Sequence, residues 1–248
     1  VRTALPAPGG GPVRHQVIGL PEPPGGRRLQ VVLHRHAGCA LAELEDDRDG
    51  EAHWLQRLSE TIEDMRQASD LGDLVARTAQ RVKALLGFDR VMVYRFDAEW
   101  NGQVIADAHE PGMEPFLHLH YPAGDIPAQA RALYARNLVR YIADVDYRPV
   151  ALQSLPGPGP AGAEAPLDMS HCLLRSVSPM HLQYLRNMHV VSTLTMSLMV
   201  DGRLWGLIAA HHRRPTELPQ SLRHACSALA VTAGYMVGWA LQQALAEE

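Results

Sequence analysis

The stretch VVSTLTMSLMVDGRLWGLIAAH, residues 190–211, decides the fold. Asp201-Gly202 separates two apolar runs and is a dipeptide typical of a two-residue β-hairpin turn. From Thr193 to Ser197 every second residue carries a hydroxyl group, and the residues between them are large and apolar. The pattern predicts an antiparallel hairpin whose first strand has one polar face. That face meets either solvent at the edge of a sheet or a ligand.

Hydrophobic residues around this hairpin follow the period of a helix in some stretches and of a strand in others. Helices are predicted at 51–86 with a break near Asp70, from Pro127 to Tyr134, from Ser178 to Met188 and from Ser221 onwards, and strands at 91–96 and 103–108. Ser69 or Asp70 is predicted to cap the N-terminus of the second helix, and Gly87 is predicted to end it. Ser178 is predicted as the N-cap of the helix through Met188, and Asn101-Gly102 as a hairpin turn. Together these elements predict an α+β fold, an antiparallel sheet flanked by helices.

Residues 1–50 and residues 51–248 are predicted to belong to different domains. The first part is rich in Pro and Gly, with a short strand near Val17 and a hairpin formed by residues 29–34 and 40–45. A lone hairpin is not stable in water, so these strands are expected to be one part of a domain.

Composition excludes several classes of function. The 248 residues have a formal net charge of −4 and a pI near 6.4, which leaves no basic stripe for nucleic acid. No apolar run approaches the roughly 20 residues of a membrane span, and no signal peptide opens the sequence. A cytosolic protein without a membrane partner is therefore predicted.

Metal chemistry has only weak support in the sequence. There are thirteen histidines, including the pair His34 and His36, but no cysteine or carboxylate stands at a supporting spacing. The three cysteines, Cys39, Cys172 and Cys226, are widely spaced and indicate neither a disulfide framework nor a zinc knuckle. No metal site is predicted.

A few polar residues suggest a buried ligand. Arg175 stands in an apolar segment, where a guanidinium needs a carboxylate or phosphate partner. His181 falls in the first turn of a predicted helix, which favours a neutral ring, and Asp125 precedes another helix, where an anion suits a cationic ligand. The alternatives, a core histidine and a surface helix cap, stay open.

Four segments resemble the GAF domain of a bacteriophytochrome. They are GFDRVMVYRFD at 87–97, HYPAGDIPAQARALY at 120–134, LRSVSPMHLQYLRNM at 174–188 and RLWGLIAAHHRRP at 203–215. The segment RRLQVVLHRHAGCALAELE at 27–45 resembles the last strands of the PAS domain that precedes it in the family. The resemblance implies a sheet of about six strands and a red/far-red photoreceptor module that binds a linear tetrapyrrole, biliverdin. It also implies a cytoplasmic homodimer without enzymatic activity, whose PHY and output domains receive the light signal.

The resemblance assigns the polar centre of the pocket. Asp125 and Ile126 belong to the family's Asp-Ile-Pro motif, in which the aspartate carbonyl meets the pyrrole nitrogens and its carboxylate touches the PHY domain. His181 matches the histidine beside the inner rings, and His211 the histidine near the carbonyl of the terminal ring.

The propionate end and the aromatic end of the pocket are assigned in the same way. Arg140 and Arg175 match the arginines that hold the two propionates, with Thr193 and Thr195 where the family often has serines. The remaining pocket positions fall on Tyr94, Tyr121 and Tyr134 around the terminal ring and on Ser178, Met180 and Tyr184 along the wall.

The sequence departs from the family in its cysteines. Plant and cyanobacterial members attach the bilin where this chain has Met180, and bacterial members use a cysteine ahead of the PAS sheet. Neither position matches Cys39, Cys172 or Cys226, so a covalent linkage is assigned to none of them. Gly124 replaces a common serine and His189 a common glycine.

A family knot, in which the N-terminal leader passes through a lasso, is left open. The lasso corresponds to the Pro- and Gly-rich residues 147–168.

Two other functions are alternatives to photoreception. A GAF module for cyclic nucleotides would use the same arginines for phosphate but would favour a glycine loop or helix N-terminus as the phosphate cradle. A hydrolase built on His and Asp would need a nucleophile motif, which the sequence lacks.

Overall fold

A small antiparallel sheet comes first in the chain. The computed structural model describes residues 16–20, 29–36, 39–46, 52–153 and 167–246. Its first three strands are β1 (Gln16–Leu20), β2 (Leu29–His36) and β3 (Cys39–Asp46), paired in the order β1-β2-β3. The predicted early strand and hairpin are therefore confirmed as strands. Residues 37–38, between the two strands of the predicted hairpin, lie outside the described residues, as do residues 154–166 of the predicted lasso.

The larger sheet has six strands, all paired antiparallel in the order β6-β5-β4-β9-β8-β7. The strands are β4 (Arg90–Phe96), β5 (Gly102–His109), β6 (His120–Tyr121), β7 (Val139–Ile142), β8 (Ser192–Val200) and β9 (Arg203–His212). The helices are α1 (Ala52–Arg66), α2 (Leu71–Leu86), α3 (Ala128–Arg136), α4 (Pro179–Asn187) and α5 (Gln220–Ala246). This arrangement confirms the predicted α+β class. The strands β6 and β7 were not predicted, because two and four residues are too short to show a period.

The hairpin of β8 and β9 lies inside the sheet. Asp201 and Gly202 both have positive φ, 49° and 74°, as the predicted two-residue turn requires. The hydroxyl row of β8, from Thr193 to Ser197, is buried. The alternative of a solvent-facing edge is therefore wrong: β7 covers the outer edge of β8, and Ser197 Oγ donates to the carbonyl of Tyr134 over 2.8 Å.

The helices α1, α2 and α5 cover one face of the larger sheet. Leu194, Met196 and Leu198 of β8 point into this core and pack with Leu229 and Ala233 of α5. In the described part of the chain, α5 is the one helix that is long and apolar enough to span a membrane by those criteria alone. One side of this helix, including Leu229, Ala233 and Val237, packs in the core.

Of four further predicted element boundaries, two are fully confirmed. Asp70 caps α2 by accepting from the amide of Asp73 over 2.8 Å, and Gly87 ends it with φ of 69°, as predicted. Ser178 occupies the N-cap position of α4 but makes no side-chain capping bond. The predicted turn at Asn101-Gly102 is wrong, because Asp97 Oδ1 accepts two amides and holds a longer loop that ends at Asn101.

Candidate functional site

A cleft of about 740 Å³ opens on the other face of the sheet, beside α3 and α4. Its wall contains all the residues that the sequence assigned to a bilin pocket: Tyr94, Tyr121, Asp125, Ile126, Tyr134, Arg140, Arg175, Ser178, Met180, His181, Tyr184, Thr193, Thr195 and His211. These residues come from seven helices and strands and from two loops, so only the fold brings them together. Among the described residues, no cysteine lines this cleft.

Two guanidinium groups form the most polar part of the cleft. Arg140 on β7 donates to the carbonyls of Leu173 and Arg175 over 2.7 and 2.8 Å, and Arg175 donates to the carbonyl of Cys172 over 2.8 Å. Burial and the neighbouring Arg175 lower the pKa of Arg140 to about 10, and burial lowers the pKa of Arg175. In the described part of the chain neither guanidinium forms an ion pair with a carboxylate. Two close, partly dry positive charges favour a ligand that carries negative charge.

Hydroxyl groups lie beside the two arginines. Thr195 of β8 is the register partner of Arg140 on β7, and Thr193 is the register partner of His211 on β9. The phenol of Tyr134 shares a hydrogen bond with the side chain of Thr195. Burial raises the pKa of Tyr134, so its hydroxyl stays protonated at neutral pH. This row gives the cleft neutral donors next to its charged ones.

Both histidines of the cleft are held neutral. Burial, and then the charge of Arg140, lowers the pKa of His181, whose ring is stacked with Tyr184 at a centroid distance of 6.3 Å. Burial lowers the pKa of His211 to about 4, with further contributions from Arg90 and His181. A neutral imidazole offers one donor and one acceptor, which suits a polar, uncharged part of a ligand. The core-histidine alternative for His181 is wrong, since its ring lines the cleft.

Tyrosines and apolar side chains form the opposite end of the cleft. Burial raises the pKa of Tyr94 to about 12, and the nearby Tyr184 and Asp125 add to the shift. The rings of Tyr94 and Tyr121 lie 6.0 Å apart and are tilted by 45°. Ile126 packs against the same cluster. This end can enclose a planar ring and keep water from it.

Asp125 lies at the open side of the cleft and is exposed. Its amide donates to the carbonyl of Pro122 over 3.0 Å, and α3 begins three residues later at Ala128. Pro127 occupies the N-cap position of that helix, where no side chain makes a capping bond. The surface-cap alternative for Asp125 is therefore wrong. Its carboxylate is left for a ligand or another surface.

Several functional residues were missed in the sequence. The apolar wall includes Met92, Leu207 and Ala209. Met92 is two residues from Tyr94 on β4, and Ala209 and Leu207 are two and four residues from His211 on β9. Because side chains on a strand alternate between faces, this spacing could have identified them.

A buried ion pair next to His211 was also missed. Arg90 is the register partner of His211, its guanidinium lies 3.7 Å over the ring of Phe116, and its Nε is 3.6 Å from Asp107 Oδ1. Asp107 also accepts the amide of Phe116 over 2.7 Å. The partners of Arg90 lie on another strand and a loop, so no local pattern indicates them. The pair places a fixed positive charge close to His211.

The cysteines are poor candidates for attaching a ligand. Cys172 and Cys226 are buried, and burial raises their thiol pKa values to about 11 and about 12. Thiolate is the nucleophilic form, so without a metal ion both thiols are poor nucleophiles for a covalent bond to an organic ligand at neutral pH. Cys39 is exposed at the start of β3.

Comparison with known proteins agrees with this fold and site. Residues 70–241 match the family model of the GAF domain. This chain therefore belongs to the GAF domain family. Its relatives within that family are phytochromes: a bacteriophytochrome of Xanthomonas campestris pv. campestris is 49% identical over 168 residues, which are 68% of this chain and 26% of that protein. Cyanobacterial phytochrome B of a Nostoc species is 39% identical over 205 residues, 81% of this chain and 27% of that protein.

Solved structures give the same family. The chromophore-binding domain of a Stigmatella aurantiaca phytochrome has a TM-score of 0.80 and 41% identity, covering 88% of this chain and 72% of that one. The chromophore-binding domain of an unusual bacteriophytochrome from R. palustris has a TM-score of 0.80 and 35% identity, covering 92% and 74%. The chain spans about a quarter of the length of these curated relatives, 26% and 27%.

Proposed function

We propose that this chain binds the linear tetrapyrrole biliverdin and is the chromophore-binding part of a red/far-red photoreceptor. The observation that supports the proposal is the pair Arg140 and Arg175, which face one cleft and have no described carboxylate as ion-pair partner. Two fixed positive charges suit a ligand with two carboxylates, and the two propionates of a bilin meet that requirement.

The other polar residues have distinct parts in this proposal. Thr193 and Thr195 donate to the propionates from the strand beside Arg140. The neutral His181 lies beside the inner rings, and the neutral His211 donates to the carbonyl of the terminal ring. The backbone carbonyl of Asp125 accepts from the pyrrole N–H groups. A cleft of about 740 Å³ is within the size range of small-molecule sites.

When bound, the bilin supplies absorption of red light and isomerisation about its terminal double bond. The protein's part is to enclose the terminal ring between Tyr94, Tyr121 and Tyr134 and to exchange hydrogen bonds through His211 and Asp125. Because the carboxylate of Asp125 is exposed, it can contact a PHY domain and pass the change to output domains. No substrate is converted, so we propose that this chain is not an enzyme.

Domain organisation and assembly are part of the same proposal. Residues 1–50 belong to the C-terminal part of a PAS domain, and residues 51–248 are the GAF domain with its N-terminal helices and its closing helix. The proposed protein is cytoplasmic and forms a homodimer through its helices. Such an interface would explain why the aromatic residues Tyr235 and Trp239 of α5 are 77% and 63% exposed in the single chain. Sedimentation of wild type and a Tyr235→Lys, Trp239→Lys double variant tests this: equal masses would contradict it.

The deciding experiment is an absorption spectrum of the purified chain after addition of biliverdin, recorded before and after red light. We expect a red absorption band that shifts on illumination. A chain that stays colourless, but binds a cyclic nucleotide in calorimetry, would assign the arginines to phosphate instead and overturn the proposal.

A further inference from the structure

We infer that His34, Glu43 and Cys172 form a binding site for Zn²⁺. One ligand atom from each of the three residues lies within 4.8 Å of the others, and all three side chains are buried. The site lies outside the cleft, between the small sheet and the segment that precedes α4, and does not depend on the proposed bilin function. Imidazole, carboxylate and thiolate are all common zinc ligands.

The distance between imidazole and sulfur already fits a shared metal ion. His34 Nε2 lies 3.4 Å from Cys172 Sγ. Bond lengths of about 2.0 Å to nitrogen and about 2.3 Å to sulfur place these atoms about 3.5 Å apart in a zinc tetrahedron. Glu43 Oε1 lies 3.9 Å from the Nδ1 atom of His34, and a carboxylate oxygen of Glu43 lies within 4.8 Å of the ligand atoms of His34 and Cys172.

The carboxylate of Glu43 is held as a metal ligand usually is. Its Oε2 accepts the amide of Leu174 over 2.7 Å, whereas Oε1 accepts no hydrogen bond within the described residues. The backbone therefore fixes one oxygen of the carboxylate and leaves the other available to a metal ion. Carboxylates that bind metals are commonly oriented by a hydrogen bond of this kind. A water molecule can complete the tetrahedron.

The fold explains why these three residues meet. Glu43 is the register partner of Val32, and His34 is two residues from Val32 on the same strand, so His34 and Glu43 share one face of the small sheet. Cys172 reaches that face from 138 positions away, in a turn closed by its amide donating to the carbonyl of Met169 over 2.9 Å.

The mixture of ligands selects the ion. A thiolate and an imidazole favour Zn²⁺ over the hard cations Mg²⁺ and Ca²⁺, which prefer oxygen. On binding, the Cys172 thiol releases its proton to solvent and its sulfur forms the bond to the metal; no oxidation or reduction takes place.

Zinc at this site would tie two parts of the chain together. The carbonyl of Cys172 accepts from Arg175, and the carbonyl of the next residue, Leu173, accepts from Arg140. The ion would therefore join the small sheet to the segment on which both arginines of the cleft are anchored.

The test uses the whole chain without a histidine tag and without biliverdin, since pyrrole nitrogens also bind zinc. After treatment with a chelator, Co²⁺ is titrated as a spectroscopic probe. We expect one equivalent to produce near-ultraviolet thiolate-to-cobalt bands and visible bands of tetrahedral cobalt, and Zn²⁺ to abolish both. Zn²⁺ should also raise the Tm of the wild type.

Variants identify the ligands. Cys172→Ser should remove the thiolate bands, and Glu43→Gln should weaken Co²⁺ binding at least about tenfold. Cys39→Ser, which alters the exposed thiol, is the control and should change neither the thiolate bands nor the Co²⁺ affinity. Circular dichroism of each variant checks its fold. Absence of the thiolate bands in the wild type, which needs no variant, or their persistence in a folded Cys172→Ser variant, would overturn the inference.

Discussion

Arg140 donates to the backbone carbonyl of Arg175 over 2.8 Å, so one of the two cationic side chains of the cleft orients the segment that carries the other. The like charges are kept close although they repel each other and burial removes part of their solvation. Burial and this proximity lower the pKa of Arg140 to about 10. Two buried positive charges are unfavourable until an anion binds. The affinity of the cleft for an anionic ligand therefore depends strongly on this pair.

Removal of one guanidinium should weaken bilin binding more than removal of a nearby hydroxyl. Arg175→Ala loses a charge-assisted hydrogen bond in a partly dry site, which costs about 2 kcal/mol, or about thirtyfold in Kd. Tyr184→Phe is the control, because it keeps the aromatic ring in the same cleft. Titration of both variants with biliverdin gives the two Kd values, and equal values would contradict the propionate assignment.

Asp125 should act in photoconversion rather than in binding. Its carboxylate is exposed and its backbone carbonyl remains in any variant, so Asp125→Leu and Asp125→His should still take up biliverdin and absorb red light. In each variant the bound bilin should isomerise less often and fluoresce more, because the excited bilin has lost a hydrogen-bond partner. Holoprotein yield, fluorescence yield and the light-minus-dark difference spectrum measure this. Normal photoconversion in both variants would show that the assignment is wrong.

The unliganded chain should lose stability in mild acid because of His211. Its pKa is about 4 in the folded chain and about 6.5 when unfolded, so between these values the unfolded state binds more protons. The stability from this group is present above pH 6.5 and is lost as the pH falls towards 4. Urea unfolding at several pH values should show a smaller loss for His211→Gln than for wild type. The exposed His120→Gln should behave like wild type; identical pH profiles for all three would contradict the prediction.

Biliverdin should bind this chain without a covalent bond. None of Cys39, Cys172 and Cys226 lines the cleft, and two of them are buried thiols with raised pKa values. On a denaturing gel treated with zinc, the protein band should show no bilin fluorescence, and the pigment should run with the dye front. A fluorescent band that disappears in Cys39→Ser would reveal an attachment at that residue.

Gly206 should be intolerant of a side chain. A Cβ atom there would lie 2.4 Å from the carbonyl oxygen of Tyr94 on the adjacent strand, so Gly206→Ala forces the backbones of β4 and β9 apart. A loss of about 1 to 3 kcal/mol in the free energy of unfolding is expected. Gly124→Ala, where a Cβ meets nothing within 4 Å, should change it by less than about 0.5 kcal/mol. Equal urea midpoints for the two variants would disprove the contact.

Local patterns were sufficient for most of the fold. The alternation along β8 and the Asp201-Gly202 turn predicted the central hairpin, because strand period and turn chemistry depend on residues close in sequence. The same reasoning was wrong at Asn101-Gly102, where the side chain of Asp97 closes a longer loop. A side chain that replaces backbone turn bonds is not visible in a dipeptide pattern.

The sequence by itself determined most of the elements and, through its family motifs, many of the residues that line the cleft. Only the tertiary structure decided that the hydroxyl row of β8 is covered, because burial of one strand depends on where β7 joins the sheet. It also placed Cys172 beside His34 across 138 positions, after the sequence had predicted no metal site. Spacing along a chain predicts contacts within a helix or hairpin, whereas contacts between distant segments follow from packing of the whole chain.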